Sequence, residues 1–231
     1  MAFSISVICA AWQAARTLPE TLASIRAQTL VPDEILVVDD GSTDSTAEVA
    51  EANGARVIRR THRGAAAALN VGIAASSGQL LAFVDADDLW TSEKLACQVR
   101  AMSADPDLGG VVGMMESFVC PTLPPKIASR YRLSPSPQPA WLLGALLAHA
   151  KTFAAAGPFA EDMAAGFVAD WFDRARHVGA RFASLHQTVL RRRIHPGTLS
   201  HRSIARDSGY TLMARRALLR RRHSFAEQDP V

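Results

Sequence analysis

Apolar positions along the chain come in short runs, and the runs alternate between two spacings. Ser4–Cys9 (SISVIC) predicts a buried strand. From Thr17 to Gln28 the apolar residues fall at 18, 22 and 25, the helical period. Glu34–Val38 (EILVV) predicts a second strand. Ser45–Asn53 predicts a short helix, with Ser45 and Glu48 at capping-box spacing and Gly54 as its stop. Ala55–Arg60 follows as a third strand, Gly64–Ser76 as an Ala-rich helix, and Leu80–Val84 (LLAFV) as a fourth strand, apolar on both faces. Ser92–Met102 predicts a helix opened by a Ser cap, and Gly109–Met115 a fifth strand. Strand and helix alternating in this way build an α/β fold, a mostly parallel sheet flanked by helices on both faces.

The rhythm breaks between Val119 and Pro139, where six prolines forbid a long helix or a central strand and predict a loop. Order resumes at Trp141–Leu147. A helix is expected over Asp170–Val178, strands over Arg181–Leu185 and Thr188–His195, and a basic helix over Ser203–Arg222.

The 231 residues suit one domain with an embellishment rather than two. With 48% hydrophobic and 20% charged residues the composition is globular, which excludes a mostly disordered or fibrous chain. The longest apolar stretch, Pro139 to Ala148, is too short for a bilayer, and the N-terminal residues lack the marks of a signal peptide. Cys9, Cys97 and Cys120 are scattered without a disulfide framework, so a reducing cytoplasm is the expected home.

The net charge of +3 conceals an asymmetry: residues 1–170 carry −6 and residues 171–231 carry +9. A basic C-terminal quarter fits nucleic acid, a membrane surface or a phosphorylated small molecule. The acids narrow the choice. Two clusters follow predicted strands directly, Asp39-Asp40-Gly41-Ser42-Thr43-Asp44 and Asp85-Ala86-Asp87-Asp88. In open parallel sheets ligands bind beyond the carboxyl ends of the strands. Carboxylates crowded there repel one another unless something shares their charge. Asp85-Ala86-Asp87 is a D-x-D, and such oxygens suit Mg²⁺ or Mn²⁺ together with substrate phosphates. An extended loop would point Asp85 and Asp87 the same way. Turn capping is the plainer use of both clusters. No nucleic-acid-binding motif accompanies the basic quarter, so no nucleic-acid partner is expected.

Together these residues resemble family 2 glycosyltransferases of the GT-A fold, over roughly residues 4–200. The similarity rests on LVVDDGSTDSTAEVA followed by LLAFVDADDLWTSEKLACQV, with the opening strand and helix, the Gly64–Gly78 segment, Ala169-Asp170-Trp171 with Arg174 and Gly179, and Arg191-Arg192-Arg193-Ile194-His195. The first strand departs from the family pattern, ending Ala10-Ala11-Trp12-Gln13, and Leu69 stands where an Arg is usual. The acidic pair common before the acceptor-side helix is not intact, with Phe167 and Val168 near its place.

The resemblance implies one Rossmann-like domain over 1–231, with a nucleotide-sugar-binding half (1–115), an acceptor-binding half (116–200) and a basic C-terminal helix (201–231). It also implies inverting transfer of a sugar from a nucleoside-diphosphate sugar, UDP favoured, to an acceptor hydroxyl whose carrier the sequence does not name. Asp39 and Asp40 would meet the nucleoside, Asp85 the ribose, and Asp87 a Mn²⁺ or Mg²⁺ ion. Asp88 would support the loop, and Ala10, Ala86 and Asn70 complete the donor site. Trp12 could stack on the base. Asp170 would be the general base, or else a plain partner of Arg174 at i+4.

In a strand, Arg191, Arg193 and His195 share a face. They are expected to meet the diphosphate, with His195, or less favourably His201, as a further metal ligand. The arginines of the final helix would be solvated or touch a membrane surface peripherally. The alternative reading is a non-catalytic nucleotide-sugar binder with a degenerate acceptor site.

Overall fold

The computed structural model describes residues 3–196, 214–218 and 220. One mixed sheet of nine strands organises them. Its first half holds β1 (Ile5–Ala11), β2 (Glu34–Asp39), β3 (Arg56–Arg59) and β4 (Leu80–Asp85), all parallel, in the spatial order β3-β2-β1-β4. They are linked by α1 (Leu18–Arg26), α2 (Thr46–Ala52) and α3 (Ala65–Ala75). The chain steps outward from β1 to β3 and then crosses back to lay β4 on the other side of β1. That reversal opens a crevice at the carboxyl ends of β1 and β4. The register fixes what lines it: Ala10 lies opposite Asp85, and Ala11 opposite Asp39.

The second half continues through β5 (Leu89–Trp90), α4 (Lys94–Ala104), β6 (Leu108–Val119), α5 (Pro125–Ala128), β7 (Gln138–Pro139), β8 (Leu147–His149), α6 (Ala150–Ala156), α7 (Phe167–His177) and β9 (Arg181–Ile194). β8 runs antiparallel between β4 and β6. β6 and β9 are parallel over nearly their whole length, and β5 closes the far edge antiparallel to β9.

Period-two alternation divides the apolar residues between two cores. Val7, Cys9, Ala82 and Val84 face α1 and α4, which contribute Leu18, Leu22, Ile25 and Leu95. Ile8, Leu81 and Phe83 face the opposite layer, where α6 and α7 supply Phe153, Trp171 and Phe172. Trp171 stacks on Phe153 with ring centroids 4.2 Å apart, and its buried Nε1 has no acceptor among the described residues. α3 lies close on β1 because of Gly72, where a Cβ would run into Ile8.

Several local expectations change. The Ser45–Glu48 capping box does not form. Asp44 accepts from the Thr46 amide (3.1 Å) and the Thr46 hydroxyl instead, while Glu48 reaches Arg59. Ser92 does not cap α4, whose N-cap is Glu93 without a side-chain bond. The fifth strand extends to Val119 because β9 pairs alongside it, and the two strands expected at the C-terminal end are one bulged strand. The proline-rich stretch is not wholly loop: Pro125 sits in the first turn of α5, and Gln138–Pro139 pairs with Met114 and Met115. α7 begins at Phe167, so Asp170 lies within its first turn rather than opening it. Of the expected 203–222 helix, residues 214–218 and 220 are helical, and the rest, with His201, lies outside the described residues. No helix among the described residues is long and apolar enough to cross a membrane.

One buried cation stands inside this frame. Lys94 is 0% exposed. Its Nζ donates to Gln98 Oε1 at 2.8 Å and to the Leu146 carbonyl at 3.3 Å, and lies 4.8 Å from the Trp90 ring centroid. Burial pulls its ammonium from 10.5 down to about 7. The unfolded chain therefore binds this proton more tightly than the folded one. Lys94 makes stability rise with pH between about 7 and 10.5, at roughly 1.4 kcal/mol per pH unit. Urea unfolding across that window should show the slope, and Lys94→Met should flatten it. An unchanged slope in the variant would mean that another group titrates.

Candidate functional site

The crevice begins with two loops locked together. Gln13, after β1, adopts a left-handed backbone (φ 52°), uncommon for a side chain of its size. Its amide nitrogen donates to Ser42 Oγ (2.9 Å), its side-chain Nε2 to Thr43 Oγ1 (2.8 Å), and its Oε1 accepts from the Asp44 amide (3.2 Å). Gly41 makes the turn possible: its φ is +76°, and a Cβ there would lie 2.8 Å from the His62 nitrogen. Neither the posture of Gln13 nor a role for His62 was expected from sequence. A residue between a strand end and a DDGS turn carried the only signal.

Asp39 and Asp40 are both buried but do different work. Asp39 Oδ1 accepts from the Ser42 amide at 3.1 Å, and Oδ2 has no partner among the described residues. Asp40 is fully engaged by its own chain. It accepts from the Arg63 and Gly64 amides and pairs with Arg60 (3.2 Å) and His62 (2.9 Å), which fixes the loop into α3. Trp12 is 50% exposed, with its ring tilted 31° to His62 at 4.8 Å. These two rings form an aromatic lip at the mouth of the crevice.

The D-x-D loop sits on the other side. Asp85 ends β4 at the exposed rim, and desolvation of its carboxyl by the surrounding protein, together with the charge of Asp87, pushes it up to about 6. The Arg192 guanidinium opposes the shift. Asp88 is buried, and that burial with the charges of Asp85 and Asp87 holds its carboxyl well above the usual range, though it accepts from the Arg193 amide at 2.8 Å. Asp87 Oδ2 lies 2.8 Å from His195 Nε2. Ala86 is buried in the core, so only its backbone can reach a ligand.

The arginines alternate as a strand requires, and Arg193 and His195 both meet the acidic loop. Arg191 pairs with Glu116 at 2.7 Å, and both Arg191 and Arg193 lie over Phe118, which pairs with Arg193 in register. Arg193 is 3% exposed. It donates to the Asp87 carbonyl (2.7 Å) and to Glu20 (2.6 Å), so it braces the acidic loop from behind. Arg192 lies on the opposite face, and its charge works against the rise at Asp85. Strand alternation alone could not say which face turned inward.

Asn70 and Asp170 are engaged elsewhere. Asn70 exchanges hydrogen bonds with the Phe159 backbone (3.0 and 2.8 Å) and reaches Glu161, tying α3 to the segment between α6 and α7. Asp170 is 1% exposed and binds Arg174 at 2.9 Å, the i+4 pair its spacing allowed, and Arg220 at 3.0 Å. Arg216, expected to be solvated, pairs with Asp162 at 2.7 Å.

Among the described residues no three His, Cys, Asp or Glu side chains converge as a metal cluster. Mg²⁺ and Mn²⁺ nevertheless commonly take one or two protein carboxylates and complete their shell with water and phosphate. Asp87 and Asp85 supply carboxylate oxygens, and His195 a borderline nitrogen beside Asp87, a donor set that fits such an ion.

Residues 6–154 match the Glycosyl transferase family 2 model. Among curated relatives, an uncharacterized glycosyltransferase of Nostoc is 37% identical over 48% of this chain and 35% of its own length. An Escherichia coli protein named UDP-Glc:alpha-D-GlcNAc-diphosphoundecaprenol beta-1,3-glucosyltransferase WfgD is 35% identical over 43% of this chain and 41% of its own. The chain thus spans about two fifths of the length of the curated relatives it matches. Among solved structures, a mannosyltransferase from Pyrobaculum calidifontis in complex with GDP-Man and Mn²⁺ superposes with a TM-score of 0.73 at 20% identity, over 94% of this chain and 65% of that one. TarS of S. aureus in complex with UDP-GlcNAc gives 0.68 at 19%, over 84% and 59%. The strand order, the aligned acids and the matched segment agree: the fold is GT-A, and the chain belongs to glycosyl transferase family 2.

Proposed function

We propose that this chain moves a sugar from a nucleoside-diphosphate sugar, UDP favoured, to an acceptor hydroxyl with inversion at the anomeric carbon, assisted by Mn²⁺ or Mg²⁺. The observation that carries the reading is the alignment of Ala11 with Asp39 and of Ala10 with Asp85 at the reversal point of the sheet. The base would lie on the Trp12–His62 lip, and the open oxygen of Asp39 would accept from a nucleoside N–H or hydroxyl. Asp85 would take the ribose side. Asp87, with His195, would hold the cation, which when bound offsets the negative charge gathering on the departing diphosphate. Arg192 adds a positive charge that favours the ionised form of Asp85.

The acceptor proton needs a base on the far side of the sugar. Asp170 takes that role in this proposal only after Arg220 releases it, because both its oxygens are paired. The same burial supports a second reading, a nucleotide-sugar binder whose acceptor site has degenerated.

Calorimetric titration with UDP should show binding that Mn²⁺ strengthens. In Asp87→Ala the gain from Mn²⁺ should vanish, while Arg193→Met should weaken it by about tenfold by loosening the loop. UDP binding that ignores Mn²⁺ in the unaltered chain would overturn the metal assignment. Donor turnover separates the two readings. If Asp170 is the base, Arg220→Ala raises turnover and Asp170→Asn lowers it by at least about a hundredfold with donor affinity intact. A binder shows no turnover in any of the three.

A further inference from the structure

Among the described residues, Gln13 is the one non-glycine with a left-handed backbone. Chain sterics disfavour that posture for a side chain of its size, so its contacts must hold it there. Burial is not what holds it, because Gln13 is exposed. The hold comes from the turn after β2. The Gln13 amide donates to Ser42 Oγ and its Nε2 to Thr43 Oγ1, while its Oε1 accepts from the Thr43 and Asp44 amides at 3.4 and 3.2 Å. The next two residues continue the seam: the Ala14 amide donates to Thr46 Oγ1 (2.8 Å) and the Ala15 amide to Asp44 Oδ2 (3.2 Å). One side chain thus ties the end of β1 to successive residues of the acidic turn.

The seam leads to the two groups assigned above to the nucleoside. Ser42, which receives the Gln13 amide, donates its own amide to Asp39 Oδ1 at 3.1 Å and so turns Oδ2 free. Trp12 is pinned from both ends. On one side the Ala11 carbonyl accepts from the Asp40 amide (2.9 Å), and on the other Gln13 is fastened to Ser42. The direction in which the Trp12 ring leaves the chain, and its place beside His62, follow from those anchors. The D-x-D loop is braced by a different set of partners: Arg193 holds it through the Asp87 carbonyl, Asp88 and Glu20. Glu20 lies in the first turn of α1, but the entry to α1 is fixed by the Ala14 and Ala15 amides rather than by the Gln13 side chain.

We propose that Gln13 is a positioning residue for the donor's nucleoside, fixing the open oxygen of Asp39 through Ser42 and the Trp12 ring through the backbone. The proposal rests on the donor-crevice reading above and divides that crevice into two separately braced halves. The nucleoside half hangs on the Gln13 seam, and the diphosphate and cation half on Arg193. Without its amide, residue 13 loses the bonds that keep its backbone left-handed and relaxes toward the ordinary regions. Ser42 then loses its donor, and Asp39 and Trp12 gain freedom that binding must take away again. The cation half keeps every one of its own bonds.

The test titrates the full chain calorimetrically with UMP in EDTA, which reads the nucleoside half, and with UDP in EDTA or Mn²⁺, which reads the cation half. In Gln13→Ala the UMP affinity should fall about tenfold, while the factor by which Mn²⁺ strengthens UDP binding stays that of the unaltered chain. Gln13→Gly accepts the backbone posture but has no amide, and should lose as much as Ala. Gln13→Asn keeps an amide and takes the left-handed region readily, and should recover part of the loss. The number of sites per chain separates a folding defect, which lowers it, from a positioning defect, which changes affinity alone. Unchanged UMP affinity in Gln13→Ala, full affinity in Gln13→Gly, an Asn variant no better than Ala, or an Mn²⁺ gain that shrinks with UMP affinity overturns the proposal. If neither UMP nor UDP binds the unaltered chain, the donor reading itself falls and takes this one with it; nucleotides that bind all variants alike remove the role of Gln13 alone.

Discussion

A single buried guanidinium carries much of the arrangement. Arg193 joins α1 through Glu20, the D-x-D loop through the Asp87 carbonyl, and β9 through its own backbone, which donates to Asp88. The acids of that loop crowd at the end of an apolar strand, where mutual repulsion and poor hydration work against them. Arg193 fixes the geometry from behind, through the Asp87 carbonyl and the Asp88 carboxylate, while the Arg192 charge offsets the acids. The separation of tasks is spatial: Asp88 faces the brace, Asp87 faces His195, and Asp85 faces the cleft.

The parallel half was legible because its signals are local. Buried strands read as unbroken apolar runs, helices show the 3.6 period, and the acids follow the strands directly, so β1 to β4 and their crevice could be placed from the chain alone. The second half is built from long-range pairing. β6 extends to Val119, and β9 is continuous, because each is the other's neighbour, a fact that neither segment's composition contains. Proline excluded a long helix between them correctly, yet it tolerated a first-turn position in α5 and an edge position in β7.

For the site, residue chemistry was readable and orientation was not. Asp87 and His195, expected as two donors to one ion, lie 2.8 Å apart. That Arg193 is spent on the Asp87 carbonyl and Glu20, and Arg191 on Glu116, depends on partners from other elements, which the register of β9 with β6 brings into reach. Asp40, Asn70 and Asp170 show the same limit. Each is polar and suitably placed in the sequence, and each is engaged by partners that arrive from other elements: the β3–α3 loop, the Phe159 segment and Arg220.

The long reach between the acidic loop and its brace has a kinetic side. Arg193 and His195 lie 105 and 108 residues after the aspartates they meet. During synthesis the strands that carry the acids leave the ribosome well before β9 exists. A nascent chain can form its local βαβ units early, but it holds an uncompensated acid cluster until the last strand of the sheet docks. Completion of the site and completion of the fold are therefore the same late event, and a chain truncated before β9 would be left with the acids and without their counter-charge.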